Sequence, residues 1–242
     1  MITKSQVKHI RSLDDKKYRK QHRQFIVEGE KMVFELLDSD FEIIQLFVLN
    51  GWSGTESLKR WNSLIQVVED FEMKKISFMS SPPSVMGIAS IPDHNDPVGQ
   101  RFFLLDQIRD PGNLGTIIRI ADWFGLDGVI CSPETVELYN PKVVQATMGS
   151  IFRVPVFYTT LPDWIRTHAD IPVYAASLQG SNLEASSHKI QCGAILIGNE
   201  SNGLTPDLLS ASTYQVRIPG GGDAESLNAA VAAGILAYGL LY

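Results

Sequence analysis

Residues 101–131 read RFFLLDQIRDPGNLGTIIRIADWFGLDGVIC, and this stretch decides the fold class. Phe102–Leu105 is apolar without alternation, the pattern of a strand covered on both faces. Leu114–Phe124 then brings Ile117, Ile118 and Ala121 into phase at helical spacing, and Gly128–Cys131 is apolar and strand-like again. A second continuous run, Ala194–Gly198, repeats the signature of a strand in a parallel sheet with helices on both faces.

Working outward, the spacing predicts a helix at Lys142–Met148 and strands at Val154–Tyr158, Pro172–Ala176 and Tyr214–Ile218. A long helix of small residues follows from Ser226 to Leu241. Upstream, residues 3–13 read as a short helix with Val7 and Ile10 on one face, and Phe25–Val27 as a strand. Lys31–Leu37 is a helix, Glu42–Leu49 a strand, and Thr55 is placed to cap a helix from Glu56 to Leu64. Val67–Val68 is a short strand before a helix that starts at Glu69 or Asp70 and runs through Ile76. Pro92–Gln100 is polar and aperiodic, with two prolines and a glycine, which makes it the linker. The expected organisation is an α/β domain over residues 1–91, a linker over 92–100 and a second α/β domain over 101–242.

The chain has 242 residues, 44% of them apolar, and a net charge of −6, which excludes a mainly disordered state. It has no apolar run long enough to span a membrane and no apolar core to its N-terminus of the kind a secretory signal needs. Two cysteines, Cys131 and Cys192, make no disulfide framework or zinc spacing, so a reduced, cytoplasmic protein without a metal is expected. The charge is uneven. Residues 1–24 carry Lys4, Lys8, Arg11, Lys16, Lys17, Arg19, Lys20 and Arg23 against Asp14 and Asp15, a net of +6 that leaves −12 on the rest. A basic segment on an acidic body fits contact with a polyanion, although charge alone slightly favours a solvated helix surface with lysines for solubility.

Three turns at strand ends carry the candidate chemistry, as expected where ligands bind open α/β sheets. The first runs Asp106 to Gly115 and leads into a helix with Arg119. Asn113 is placed either to cap that helix or to act in a site, and Arg119, read as lying within an apolar face, needs a carboxylate or phosphate partner. The second is Gly198-Asn199-Glu200-Ser201-Asn202-Gly203-Leu204, where an ordinary turn accounts for the glycines but not for Glu200. The third is Ile218 to Asn228, where Gly220, Gly221 and Gly222 open a helix in the manner of an anion or nucleotide cradle, and where Ser226 or Asn228 is equally placed to be only the N-cap. The Walker A and GxGxxG spacings are missing, and no histidine lies in these turns, so phosphate-loop, dinucleotide and Ser-His-Asp chemistry are poorly supported.

Taken together and in order, DPGNLGTIIRIADWFGLDGV, ILIGNESNGL and IPGGGDAESLNAAVAAGILAY resemble motifs 1, 2 and 3 of the SpoU (TrmH-like) RNA ribose 2′-O-methyltransferases, a branch of the SPOUT superfamily. The resemblance covers residues 101–242. The run FIVEGEKMVFELL resembles, less specifically, the family's L30e-like N-terminal substrate-binding domain. It implies a SPOUT-type C-terminal domain with a trefoil knot plus a small L30e-like α/β N-terminal domain, a homodimer, RNA as partner and S-adenosylmethionine as cofactor. Carried over by position, it implies catalytic roles for Asn113, Arg119, Glu200, Ser226 and Asn228. It places the cofactor against Ser177, Leu178, Gly198, Asn199, Gly203, Ile218, Gly222 and Leu227. Two positions depart from the usual pattern, Gly220 where methionine and Ala229 where valine are common, and both bear on the stiffness of the cofactor loop. The family's proposal of the motif 1 arginine as general base meets the reluctance of a guanidinium to give up its proton, so Arg119 is expected to bind phosphate and stabilise a developing alkoxide. The L30e-like domain, and a chain that stops at Tyr242 without a basic extension, favour 23S rRNA as substrate. A tRNA substrate, a non-catalytic RNA-binding module and a nucleotide-dependent enzyme using the triple-glycine loop stay open.

Overall fold

The structure is a computed structural model that describes residues 1–93, 95–183, 189–199 and 201–242. It divides into two compact units. One is Met1–Asp93 with Glu137–Phe152, and the other is formed by the described residues of His94–Val136 and Arg153–Tyr242.

In the first unit the described strands are β1 (Gln24–Glu28), β2 (Ile43–Leu49), β3 (Ile65–Val68) and β4 (Val85–Ser90), in the order β1-β4-β2-β3. β4 runs antiparallel to β1 and β2, while β3 is parallel to β2. This central β4, VMGIAS, escaped the sequence reading. Gly87 breaks its apolar run, yet Leu36 and Leu46 close over that position. Helices α1 (Lys4–Ser12) and α4 (Asp70–Ile76) bury Ile10, Met73 and Ile76 with Ile26, Phe47 and Met86. Helix α2 (Lys16–His22) starts at Asp15, whose side chain accepts from the Lys17 amide, and α3 (Glu30–Leu37) buries Met32, Val33 and Leu36. The helix expected at Glu56–Leu64 is instead a 3₁₀ segment over Ser53–Leu64, interrupted at Trp61. Thr55 does not cap it, because its hydroxyl donates back to the Trp52 carbonyl.

A single boundary at residues 92–100 did not anticipate that Glu137–Phe152 packs in the first unit. That segment holds α6 (Pro141–Thr147), which lies against β1, and its aromatic residues anchor it. Tyr139 meets Phe25 at 4.5 Å and Phe152 meets Phe41 at 5.2 Å between ring centroids.

In the second unit the described strands are β5 (Arg101–Leu105), β6 (Gly128–Cys131), β7 (Val156–Tyr158), β8 (Val173–Asn182), β9 (Gly193–Ile197) and β10 (Tyr214–Arg217). They form one sheet in the order β10-β8-β9-β5-β6-β7. Every pairing is parallel, as the continuous apolar runs predicted. Phe102, Leu104, Ile130 and Leu196 bury against Trp164 of α7 (Leu161–Thr167) and Leu208 of α8 (Pro206–Ala211), and α7 too was missed in the sequence. Helix α5 (Pro111–Phe124) packs on α9 (Ala229–Leu241), which also touches β9. Fully burying a side chain such as Ile117 or Ile118 of α5 is worth about 1.5–3 kcal/mol.

The register between β8 and β10 breaks where the site lies. Gln215 pairs with Ala175, but Val216 pairs with Ser181, so residues 176–180 loop out of β8. Gly180 closes that loop, since a Cβ there would stand 2.5 Å from the Gln215 carbonyl carbon.

Candidate active site

The three turns follow the carboxyl ends of β5, β9 and β10, neighbours in one parallel sheet apart from the interposed β8. The looped-out residues of β8 lie among them. Two adjoining cavities of about 630 Å³ and 420 Å³ open here and share Ala176, Ser177, Leu178, Ser226, Leu227 and Ala232. Ile218, Gly220 and Gly222 line the larger, and Gly198, Asn199 and Gly203 the smaller. All eight residues nominated for cofactor contact therefore lie on these walls, as does Ser226. A further cavity of about 740 Å³, lined among others by Tyr174, Asn182 and Tyr214, holds none of the nominated residues.

Glycine at position 198 is dictated by the turn. A Cβ there would meet the Gly203 carbonyl carbon at 2.5 Å and the Leu204 nitrogen at 2.7 Å. The turn is closed by Asn199, whose carbonyl accepts from the Gly203 amide (2.8 Å) and whose Oδ1 accepts from the amides of Ser201 (2.9 Å) and Asn202 (3.3 Å). Its Nδ2 donates to the Gln107 carbonyl at 3.0 Å. One side chain thus shapes the second turn and ties it to the first.

Gln107 sits in the left-handed region at φ 54°, unusual for a residue with a Cβ. It is held from both sides: its amide donates to Ser132 Oγ at 2.9 Å and its carbonyl accepts from Asn199. Beside it, Asp106 is only 5% exposed, and among the described residues its Oδ2 has no hydrogen-bond partner. Burial raises this carboxyl above its ordinary range, the charge of Glu134 raises it further, and a hydrogen bond with Ser132 opposes both.

Helix α5 starts earlier than its periodicity predicted. Asp110 is the N-cap, accepting from the Asn113 amide at 2.9 Å, and Pro111 takes the first helical position. Asn113 is thereby relieved of capping, and its Oδ1 accepts from Asn228 Nδ2 at 2.8 Å. Asn228, not Ser226, caps α9, with its Oδ1 accepting from the amides of Ala230 (3.0 Å) and Val231 (3.3 Å). The first and third turns are thus joined by a side-chain bond between residues 115 apart.

The reading of Arg119 within an apolar face is corrected. Arg119 is exposed, and its helical neighbours Thr116 and Trp123 are exposed as well, while Ile117, Ile118 and Ala121 face the core. No hydrogen bond or ion pair holds Arg119 among the described residues, so its guanidinium is presented to solvent with its donors free. Glu200 lies outside the described residues.

The cavity walls suit a nucleoside-bearing cofactor. They combine apolar side chains (Leu178, Ile218, Leu227), small residues that let backbone approach a ligand, and a volume in the range of small-molecule sites. A parallel sheet carrying a glycine-rich cleft at its strand ends, with coupled asparagines beside it and an exposed arginine on the adjoining helix, is the setting in which open α/β sheets bind their ligands.

The chain belongs to the SpoU rRNA Methylase family, whose model matches residues 100–238. Residues 4–87 match the MRM3-like substrate binding domain. It is 31% identical over 236 residues to the 23S rRNA (guanosine(2553)-2′-O)-methyltransferase RlmP of Bacillus subtilis, covering 97% of this chain and 95% of that protein. To the 23S rRNA (uridine(2479)-2′-O)-methyltransferase of Streptomyces viridochromogenes it is 32% identical over 227 residues, 81% of this chain and 78% of the other. The crystal structure of an AdoMet-bound rRNA methyltransferase from Sinorhizobium meliloti superposes with a TM-score of 0.87 at 34% identity, over 99% of this chain and 95% of that one.

Proposed function

We propose that this chain is an S-adenosylmethionine-dependent RNA ribose 2′-O-methyltransferase acting on 23S rRNA as a cytoplasmic homodimer. The observation that carries the reading is the junction of the first and third turns, Asn113 bonded to Asn228, beside a cavity lined by the residues nominated for the cofactor. The family match and the activities of the two 23S rRNA relatives support the substrate. Matches over residues 4–87 and 100–238 support 1–91, 92–100 and 101–242 as the functional division, with an L30e-like substrate-binding domain and a knotted methyltransferase domain.

The walls of the paired cavities would hold the cofactor through backbone of Gly198, Ile218 and Leu227, with Ser177, Leu178, Asn199, Gly203 and Gly222 around it. When bound, S-adenosylmethionine supplies an electrophilic methyl group on a sulfonium. Arg119 holds a substrate phosphate and stabilises the charge developing at the ribose 2′-oxygen. Asn113 and Asn228 fix the third turn against the start of α5, so Arg119 and the cofactor loop keep one register. Ser226 and Glu200 complete the catalytic set. Exposed Trp123 (84%) on α5 and Val231, Ile235 and Tyr238 on α9 support dimerisation, since α9 is apolar around its whole circumference. Among the described residues no helix is long and apolar enough to cross a membrane.

The test is transfer of labelled methyl from S-adenosylmethionine to 23S rRNA and tRNA isolated from cells lacking the protein, with the labelled ribose mapped. Label at one 23S rRNA ribose is expected, and label on tRNA alone would overturn the substrate assignment. Arg119→Ala is expected to lower transfer at least about 100-fold while S-adenosylhomocysteine affinity stays within about twofold. Near-normal turnover in that variant would remove Arg119 from the mechanism.

A further inference from the structure

The eight basic side chains of residues 1–24 fall into two groups. Three are spent inside the first unit. Arg19 is buried, Arg11 donates to the Ser77 carbonyl at 2.8 Å and lies over the Phe78 ring, and Arg23 pairs with Asp93 at 2.7 Å. Lys4, Lys8, Lys16, Lys17 and Lys20 are all exposed and, among the described residues, none has a carboxylate partner. A chain of net charge −6 thus presents five unpaired cations on seventeen consecutive residues.

Aromatic rings accompany them. Tyr18 and His22, one turn apart on α2, are near-parallel at 13° with centroids 6.4 Å apart, and His9 of α1 meets His22 edge-on at 4.7 Å. His9 is fixed in turn by Gln24 Oε1 at 2.8 Å. Tyr18 is 36% exposed, and Lys17 Nζ stands 5.7 Å from its ring. The core does not take up this ring, although burying it would remove apolar surface from water. It is instead held at the surface beside His22, with Lys17 Nζ over its face, a mobile side chain that a base can displace.

We propose that Tyr18 and His22, the latter braced edge-on by His9, form a stacking platform for an unpaired base of the RNA substrate, with Lys16, Lys17 and Lys20 receiving the flanking phosphates. This rests on the reading of the chain as an RNA methyltransferase and names where its first domain grips the strand. Stacking on aromatic and imidazole rings with phosphates on nearby lysines is how single strands are held, whereas duplex RNA offers phosphates but no free base face.

The test uses the full chain with two fluorescein-labelled probes, a single-stranded 12-mer oligoadenylate and a 12-bp RNA duplex, together with methyl transfer to 23S rRNA. Tyr18→Ala is expected to weaken single-strand binding about 5- to 100-fold, with little change for the duplex and with kcat kept while KM rises. Tyr18→Phe keeps the ring and is expected to stay within about twofold of wild type. The triple variant Lys16→Gln, Lys17→Gln, Lys20→Gln is expected to flatten the salt dependence of single-strand binding by about 2 in log–log slope. Equal loss on single strand and duplex in Tyr18→Ala, or no loss on either, overturns the platform while wild-type methyl transfer leaves the enzyme reading standing. Wild-type protein that neither binds the single strand nor transfers methyl overturns both. Circular dichroism melts of each variant separate loss of contact from loss of fold, and Tyr18→Phe binding as weakly as Tyr18→Ala at unchanged melting temperature also overturns it.

Discussion

Replacing Arg19 with alanine is expected to destabilise the first unit and to leave RNA affinity almost unchanged, although Arg19 lies in the middle of the basic segment. The guanidinium is 2% exposed and donates four hydrogen bonds: Nε to Glu137 Oε2 at 3.0 Å, Nη2 to the same oxygen, and Nη1 to the carbonyls of Leu13 (2.9 Å) and Asp14 (2.7 Å). Glu137 reaches it across 118 residues of sequence. Removing one partner of a buried pair costs about 3–5 kcal/mol, because the other charge and the two carbonyls are left without donors. The Glu137 side chain is 20% exposed and keeps the Tyr139 amide at 3.0 Å, so water repays part of the loss and the low end, about 3 kcal/mol, is expected. For a chain of this size that is a fall of about 6–12 °C in melting temperature. The assay is a thermal melt followed by circular dichroism, with single-strand RNA affinity measured below the transition. Glu137→Ala should cost less in the Arg19→Ala background than in wild type, since the pair is already broken. A fall under about 2 °C, or an RNA affinity loss matching that of the lysine variants without destabilisation, would refute the structural role.

Asn199→Asp keeps the acceptor that shapes the second turn but replaces the donor to Gln107 with a carboxylate facing a carbonyl. Methyl transfer is expected to fall about tenfold or more in kcat, and Asn199→Ser to be no better; an unchanged kcat for the aspartate variant removes the link between the turns. Asp106 has a carboxyl raised above 3.8, so its contribution is fully present below that pH and is lost as pH rises through the folded value. Asp106→Asn should therefore melt higher than wild type at pH 8, with the gap closing towards pH 4; calorimetry at both values checks the sign. Tyr238→Asp, on the exposed face of α9, is expected to shift the protein from dimer to monomer by light scattering, and a monomeric wild type would remove the dimer from the proposal.

The central strands were legible because their sequence has only one use. FFLL and AILI are apolar at every position, which suits burial on both faces of a parallel sheet. β4 was not, since Gly87 interrupts it, and what makes it a strand is the pairing offered by β1 and β2. The packing of Glu137–Phe152 in the first unit was equally hidden, because helical periodicity states that a face is apolar but not what will cover it. At the site, the turns and the glycines could be read, while the bonds between turns could not. Asn113 looked like a cap until Asp110 took that place, and Arg119 looked enclosed by isoleucines that are adjacent in sequence but lie on the other side of the helix.

Arg19 and Arg119 show why residue type alone does not assign function. Both are arginines on helices, and both invite the same reading as phosphate ligands. Arg19 has its donors consumed by Glu137 and two carbonyls in a buried setting, so binding a phosphate there would require breaking bonds already made. Arg119 has no such partner among the described residues, and it stands on a helix whose start is fixed by Asp110 and held to the third turn through Asn113 and Asn228. The second turn is held to the first, which leads into this helix, through Asn199 and Gln107. A cation whose donors the chain leaves unused can take an anionic ligand that the chain itself does not supply, and the proposed role of Arg119 rests on that difference.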